Sequence, residues 1–190
     1  MKKEILDSGI MKNYQITLDA KDFLVAMEIA FSNINERWTY QSMASVLGLS
    51  PSQIHASVGR LLVSGLLNGK GLKGKVNREA LGNFIVHGAR YAFPPVLGKV
   101  VRGIPTGASS SLFDPELLVH EDDLPIVWPH AHGDTRGTSL APIHPCVPEA
   151  ILRDPALHKA LVYFDALRMG KAREREAAEA FFHRSLAWVS

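Results

Sequence analysis

The segment from Thr39 to Gly65 constrains the fold most, because it carries the start and stop signals of two consecutive short helices. Thr39 is suited to be the N-cap of the first helix, since its hydroxyl can accept a hydrogen bond from an otherwise unpaired backbone N–H. Gly48 is suited to the left-handed conformation that often ends a helix. The apolar positions between them recur at helical spacing and predict one buried face, formed by Met43, Ala44 and Leu47.

The second helix begins almost immediately after Gly48. Ser50 and Pro51 are a favourable N-cap and first-turn residue, and Gln53, three residues after Ser50, completes a capping box. Its apolar stripe is Ile54, Val58, Leu61 and Leu62, and Gly65 is a natural end. The pattern predicts two short helices joined by a tight turn, which is the arrangement of a helix-turn-helix.

The outer face of this second helix lacks the lysines and glutamates that usually cover a helix facing bulk solvent. Gln and Arg side chains can hydrogen-bond base edges in a bidentate way, and the second helix of such a pair is the one that enters the DNA major groove. The face therefore favours a nucleic-acid partner, although a purely structural or protein-binding helix pair would carry the same caps. Its residues are Ser52, Gln53, His55, Ala56, Gly59 and Arg60.

With its flanks, the segment resembles the winged helix-turn-helix domains of bacterial transcription regulators, broadly the MarR-like group. The resemblance covers about residues 17–80. In that fold a helix precedes the motif and a β-hairpin wing follows it, and Asp19 is suited to cap the preceding helix. The additional elements predicted are a helix over 20–34, a short strand at 37–39, wing strands at 66–67 and 76–77, and a glycine-rich wing tip at 68–75.

The resemblance implies double-stranded DNA as the partner and a role for each exposed side chain of the region. It also implies a homodimer, because paired half-sites require two-fold symmetry. Phosphate contacts would supply the salt-dependent, sequence-independent part of the affinity. Base edges would be contacted by Gln53, His55 and Arg60, and phosphates by Thr39, Tyr40, Ser50, Ser52, Lys70, Lys73 and Lys75.

Composition and charge set the outer bounds. A chain of 190 residues with 46% hydrophobic and 21% charged residues is ordinary for a globular protein of one domain or two small ones. Residues 1–92 carry 11 Lys and Arg against 7 Asp and Glu, whereas residues 93–190 carry 10 against 12. The basic half is the half with the helix pair, which is the distribution expected if only that half meets a polyanion.

The sequence also predicts the compartment. Cys146 is the single cysteine, so the chain has no intrachain disulfide, which fits a reducing cytoplasm. Charged residues interrupt the apolar positions at the N-terminus, and no apolar run is long enough to cross a membrane. We therefore expect a cytoplasmic protein without a signal peptide.

The second half predicts mixed structure. A helix is expected over 77–88, short strands joined by turns over 90–107, and a turn-rich loop over 121–148 with one candidate strand at 124–128. That loop is either a structural belt or a segment that closes over a ligand pocket. Two amphipathic helices, beginning at Asp154 and Lys171, form either a helical hairpin or a dimer interface.

Four side chains in this half are candidate metal ligands. His130 with His132, and His144 with Cys146, could together close a tetrahedral zinc site. The single intervening residue within each pair is shorter than structural zinc sites usually have, so we expect surface histidines and no metal. The chain has no phosphate-cradling glycine loop, nucleophile elbow or zinc-protease motif, and we expect neither an enzyme nor a cofactor.

These observations predict an α+β fold, with a winged helix-turn-helix over 1–88 and a mixed α/β region over 89–190 for dimerisation, or for recognition of a protein partner or small-molecule effector. The predicted function is a bacterial, sequence-specific DNA-binding regulator, a dimeric repressor. The alternative is a winged-helix protein-interaction module in a defence or toxin–antitoxin-like complex. A continuous basic face would favour DNA, and an exposed apolar patch on that face would favour a protein partner.

Overall fold

The computed structural model describes residues 15–32, 38–117 and 124–186 of the chain, and its fold is mixed α+β as predicted. The N-terminal part contains three helices followed by a short hairpin. The helices are α1 (Ala20–Phe31), α2 (Tyr40–Leu47) and α3 (Pro51–Ser64), and the hairpin strands are β1 (Leu67–Asn68) and β2 (Lys75–Val76), with a 3-10 turn at Gly71–Lys73 between them.

The predicted caps of α2 and α3 are confirmed. The Ser42 backbone N–H donates to the Thr39 hydroxyl over 3.0 Å, and Gly48 takes the left-handed conformation with φ 65°. Ser50 and Gln53 form the reciprocal capping box, in which the Ser50 N–H donates to Gln53 Oε1 over 2.8 Å. Both helices thus begin and end where local chemistry requires.

The flanking elements differ from the prediction by small shifts. α1 ends at Phe31, and of the remaining predicted positions, 32–34, the last two lie outside the described residues. Of the strand predicted at 37–39, the described part is not a strand, because Thr39 caps α2. The hairpin strands lie at 67–68 and 75–76, since the Leu66 N–H still closes α3 by donating to the Leu61 carbonyl, and the Asn77 side chain caps the next helix.

The C-terminal part begins with α4 (Arg78–Asn83), which continues through a π-helical segment, Phe84–Ala89, and a last turn, Arg90–Ala92. Three strands follow. They are β3 (Leu97–Pro105), β4 (Ile126–Pro129) and β5 (Thr135–Leu140). The first lies within the range 90–107, where several short strands were predicted, the second lies near the candidate strand at 124–128, and the third lies in a segment predicted as loop. The chain then forms α5 (Val147–Ala150), α6 (Pro155–Met169) and α7 (Ala172–Leu186).

The strands close into a small barrel. β3 pairs antiparallel with both β4 and β5, and β4 pairs parallel with β5. Such close packing admits glycine where strands touch: a Cβ on Gly103 would run into the Trp128 carbonyl oxygen, and one on Gly137 into that of Pro125. Val127, paired with Pro105, is fully buried. The barrel is therefore held by backbone contacts as much as by side chains.

A shared core joins the two segments predicted as separate domains. The Phe23 ring of α1 lies 4.7 Å from the Phe164 ring of α6 and 5.4 Å from the Phe93 ring. α6 and α7 form a hairpin within the chain, with the rings of Tyr163 and Phe181 stacked at 4.0 Å. No helix in the described ranges is long and apolar enough to span a membrane.

A buried polar network ties the barrel to α6. The Thr106 hydroxyl, which follows β3, donates to Asp165 Oδ2 over 2.8 Å. Arg168 donates to Asp165 Oδ1 over 2.6 Å and to the Phe93 carbonyl over 3.2 Å. Each charge thus has a partner, which a buried ion requires.

Candidate nucleic-acid interface

Three elements meet on one surface of the N-terminal part. Tyr40, at the start of α2, lies with its ring 5.1 Å from the His55 ring on α3. The hairpin tip closes on the same tyrosine, because a Cβ on Gly71 would lie 3.0 Å from Tyr40 Oη. Tyr40 therefore connects α2, α3 and the hairpin tip, a role that no local pattern in the sequence indicates.

Most of the predicted contact residues lie exposed on these elements. Tyr40 is half-buried by its contacts with His55 and the tip. The hydroxyls of Ser50 and Ser52 lie 2.9 Å apart at the N-terminus of α3, where backbone N–H groups favour an anion. Exposed are Thr39, Ser50, Ser52, Gln53, His55, Lys70, Lys73 and Lys75.

Gln53 is partly engaged by its cap. Its side-chain oxygen accepts the Ser50 N–H, which leaves one lone pair of that oxygen and the two amide N–H groups for a ligand. The bidentate contact to adenine needs both the oxygen and the nitrogen. The cap therefore competes with that contact for the Gln53 oxygen.

The surface carries no negative side chain of its own. The 40 residues from Trp38 to Asn77 contain no Asp or Glu and four Lys or Arg. Three of those four cations, Lys70, Lys73 and Lys75, lie exposed on the hairpin. A polyanion approaching α2, α3 and the hairpin would thus meet donors and cations without local repulsion from carboxylates.

Arg60 lies elsewhere than predicted. Instead of facing outward, its guanidinium donates to both oxygens of Asp22 on α1, over 2.7 and 2.6 Å. Asp22 is fully buried, and its hydrogen bond to Arg60 raises the pKa of the arginine. This pair could not be foreseen from local pattern, because Asp22 also serves as the capping-box residue of α1. Arg60 fixes α3 against α1 and is not available to a base edge in this conformation.

A residue of the C-terminal half packs against the end of α2. Arg153, which follows α5, donates to the Val46 carbonyl over 3.2 Å. The same guanidinium would lie 3.7 Å from a Cβ on Gly48, so it closes off the inner side of the turn between α2 and α3. The contact leaves the outer faces of both helices uncovered.

The candidate metal ligands form two separate pairs. His144 Nδ1 lies 3.0 Å from Cys146 Sγ, and burial raises the pKa of the Cys146 thiol to about 11, which keeps it neutral. His130 has its ring 5.8 Å from that of His132, and its Nε2 lies 3.0 Å from Glu149. In the described ranges no three His, Cys, Asp or Glu side chains come together as a metal would need.

A shallow, mostly apolar groove of about 610 Å³ lies beside the end of α3. None of residues 124–148 lines it, so the groove gives no support to the alternative in which the loop over 121–148 closes over a ligand pocket. It is lined by Gln15, Ile16, Thr17, Leu18, Val63, Ser64, Phe84, Ala92 and Phe93.

Comparisons with protein-family models, with characterised proteins and with solved structures found no match to this chain. Any function must therefore be inferred from the geometry of the surface formed by α2, α3 and the hairpin.

Proposed function

We propose that residues 20–77 form a winged helix-turn-helix that binds double-stranded DNA, and that the protein is a cytoplasmic, dimeric transcriptional repressor. The observation that carries the proposal is the surface of α2, α3 and the hairpin, which combines capped helix N-termini, exposed lysines and a complete lack of carboxylates. Lysines that neutralise phosphates release counterions from DNA, and no carboxylate on these elements competes for Lys70, Lys73 and Lys75.

In this proposal each element of the surface has a separate role. α3 enters the major groove, where His55 and the Gln53 amide meet base edges. Ser50, Ser52 and Thr39 hold phosphates at the two helix N-termini. Lys70, Lys73 and Lys75 contact the flanking backbone as the wing. Arg60 contributes indirectly, by fixing the angle of α3 on α1 through Asp22.

The test is binding of the purified protein to its own upstream DNA and to a scrambled duplex, at two salt concentrations. Specific, salt-sensitive binding supports the proposal, and each Lys70→Gln or Lys73→Gln substitution should lower the salt slope by about one. Lys171→Gln, at an exposed lysine before α7, is the matched control and should leave the slope unchanged. Absence of binding to either duplex at low salt would overturn the proposal.

A protein-interaction module is the second candidate, and the engagement of Arg60 favours it, since α3 then offers few base-reading groups. The scarcity of exposed apolar side chains on the face argues against it. On α2, α3 and the hairpin, the described residues include one large exposed hydrophobic side chain, Val63, which lines the groove at the far end of α3.

A further inference from the structure

The first half of β3, together with Val96 just before it, exposes apolar side chains to solvent. Its burial changes along the strand: Leu97–Val100 are exposed, whereas Gly103 is buried in the barrel. The apolar side chains Val96, Leu97 and Val100 are 61%, 56% and 42% exposed. An apolar strand open to solvent in this way commonly marks an interaction site.

One edge of this half-strand has no neighbour among the described residues. β4 pairs with β3 only at 103–105, while β5 occupies the other edge from Leu97 to Gly103. On the β4 side, the Arg102 carbonyl accepts from the His130 N–H, and the Thr106 N–H donates to the Ile126 carbonyl. Backbone groups alternate sides along a strand, so the N–H and C=O of Val100 point to the same, uncovered edge.

The segment of β3 from Leu97 to Arg102 carries positive side chains that have no carboxylate partner. Arg102 pairs directly opposite Arg136 across the β3–β5 ladder, and both side chains are exposed. Lys99 is exposed beside them. No ion pair involves these three cations within the described ranges. Like charges directly opposite each other cost stability, so a partner that neutralises them would be favoured.

The two nearby carboxylates, Asp134 and Glu149, hydrogen-bond to other side chains. Asp134, just before β5, accepts from the Thr135 hydroxyl over 2.8 Å. Glu149, on α5, holds His130 at 3.0 Å. Neither forms an ion pair with Arg102 or Arg136.

We propose that the Val96–Arg102 edge is a docking site for an extended, acidic peptide segment of a partner protein, which adds a strand beside Val100. Backbone hydrogen bonds to the N–H and C=O of Val100 and to the N–H of Arg102 would supply affinity. Apolar partner side chains would cover Leu97 and Val100, and partner carboxylates would meet Arg102 and Arg136. A nucleic acid would use the arginines but neither the strand edge nor the apolar side chains. A second copy would bring the same cations together without a carboxylate.

The test uses a short, fluorescein-labelled peptide of alternating valine and glutamate, with fluorescence anisotropy as the readout. It should bind about ten-fold or more tightly than the matched valine–lysine peptide, and binding should weaken with salt. An N-methylated version, which keeps the side chains but lacks alternate N–H donors, should bind about ten-fold more weakly. The amide signal of Val100 should shift on binding in an NMR titration.

Two protein variants complete the design. Arg102→Glu with Arg136→Glu keeps a like-charged pair but reverses its sign, so it should prefer the valine–lysine peptide. Lys70→Gln with Lys73→Gln alters the proposed DNA surface and should leave peptide binding unchanged, which separates this proposal from the proposed function.

Several results would overturn the proposal. Equal affinity for the glutamate and lysine peptides would remove the charge argument, and equal affinity for the N-methylated peptide would remove strand addition. A single-stranded oligonucleotide that bound in an Arg102-dependent way, while the peptide did not, would mark a nucleic-acid surface. Sedimentation showing a dimer formed through Leu97 and Val100 would mean that a second copy covers the edge.

Discussion

Arg60 on α3 and Arg102 on β3 stand in opposite electrostatic surroundings. Arg60 lies 2.6 Å from the fully buried Asp22, so its charge is used within the fold. Arg102 faces Arg136 on the neighbouring strand and is exposed. The charge that lies opposite each arginine therefore decides whether its guanidinium serves the fold or stays open to a partner. The arginine on the proposed recognition helix is structural, and the arginines free for a partner lie on the barrel.

The two surfaces also differ in what surrounds their cations. The face of α2, α3 and the hairpin combines flexible lysines with small polar side chains, which suits a hydrated, charged polymer. The β3 edge combines cations with Val96, Leu97 and Val100, which suits a peptide. The chain therefore presents two distinct surfaces to its surroundings.

The largest effect is expected from breaking the Arg60–Asp22 pair. Arg60→Ala leaves Asp22 as an unpaired buried charge, and such losses cost about 3–5 kcal/mol of unfolding free energy. Urea denaturation measures this directly. Arg102→Ala is the matched control, because it removes an arginine that has no carboxylate partner and should not destabilise the fold. Equal losses in the two variants would contradict the contrast between them.

Glu28 on α1 and Asp154 before α6 are two neighbouring buried carboxyl groups, and so form a like-charged pair inside the protein, as Arg102 and Arg136 do on its surface. Burial and the neighbouring Asp154 raise the pKa of Glu28 to about 8, from an ordinary value of 4.5. Because the folded state holds this proton more tightly than the unfolded chain, the free energy of unfolding should fall by roughly a few kcal/mol between pH 4.5 and pH 8. Thermal melts across this range should show that Glu28→Gln removes this part of the fall. An unchanged pH dependence in the variant would refute the assignment.

Glycine substitutions compare the barrel with the helix pair. Gly137→Ala would push a methyl group into the Pro125 carbonyl and should cost about 1–3 kcal/mol of unfolding free energy. Gly59→Ala on α3 meets no atom within 4 Å and should stabilise the helix by up to about 1 kcal/mol. Chemical denaturation of both variants measures the difference. A Gly137→Ala protein as stable as Gly59→Ala would mean that the barrel is less tightly closed.

The smallest effect concerns the arginine pair itself. Arg102→Glu converts a like-charged cross-strand pair into an opposite-charged one, which should raise the unfolding free energy by a few tenths of a kcal/mol. The gain should fade in high salt, because both side chains are exposed. Denaturation at two ionic strengths tests this. A loss of stability at low salt would show that Arg102 has a favourable contact in the free protein.

Local chemistry made the helix pair predictable. The caps at Thr39, Gly48, Ser50 and Gly65 each act within a few residues, so the sequence alone placed both helices. The hairpin strands were displaced by one residue, because the backbone closure of α3 extends to Leu66 and is not visible as a residue preference. The DNA-binding role of the surface remains a prediction.

The barrel and the Arg60–Asp22 pair could not be predicted from local sequence patterns. β3 and β5 are joined only through contacts between residues far apart in sequence, and β5 contains Gly137 and polar residues in place of an apolar alternation. The Arg60–Asp22 pair spans 38 positions, and Asp22 already had a local explanation as a cap. Long-range partners of this kind leave no periodic signal.

The glycines of the barrel also bear on how the barrel opens. A Cβ on Gly133 would run into the backbone of Gly103, so the connection between β4 and β5 passes directly against β3 at that point. We expect this connection and β3 to separate together, because each packs on the backbone of the other. Hydrogen exchange at the His130 amide, which donates to the Arg102 carbonyl, should then follow the cooperative opening of the barrel.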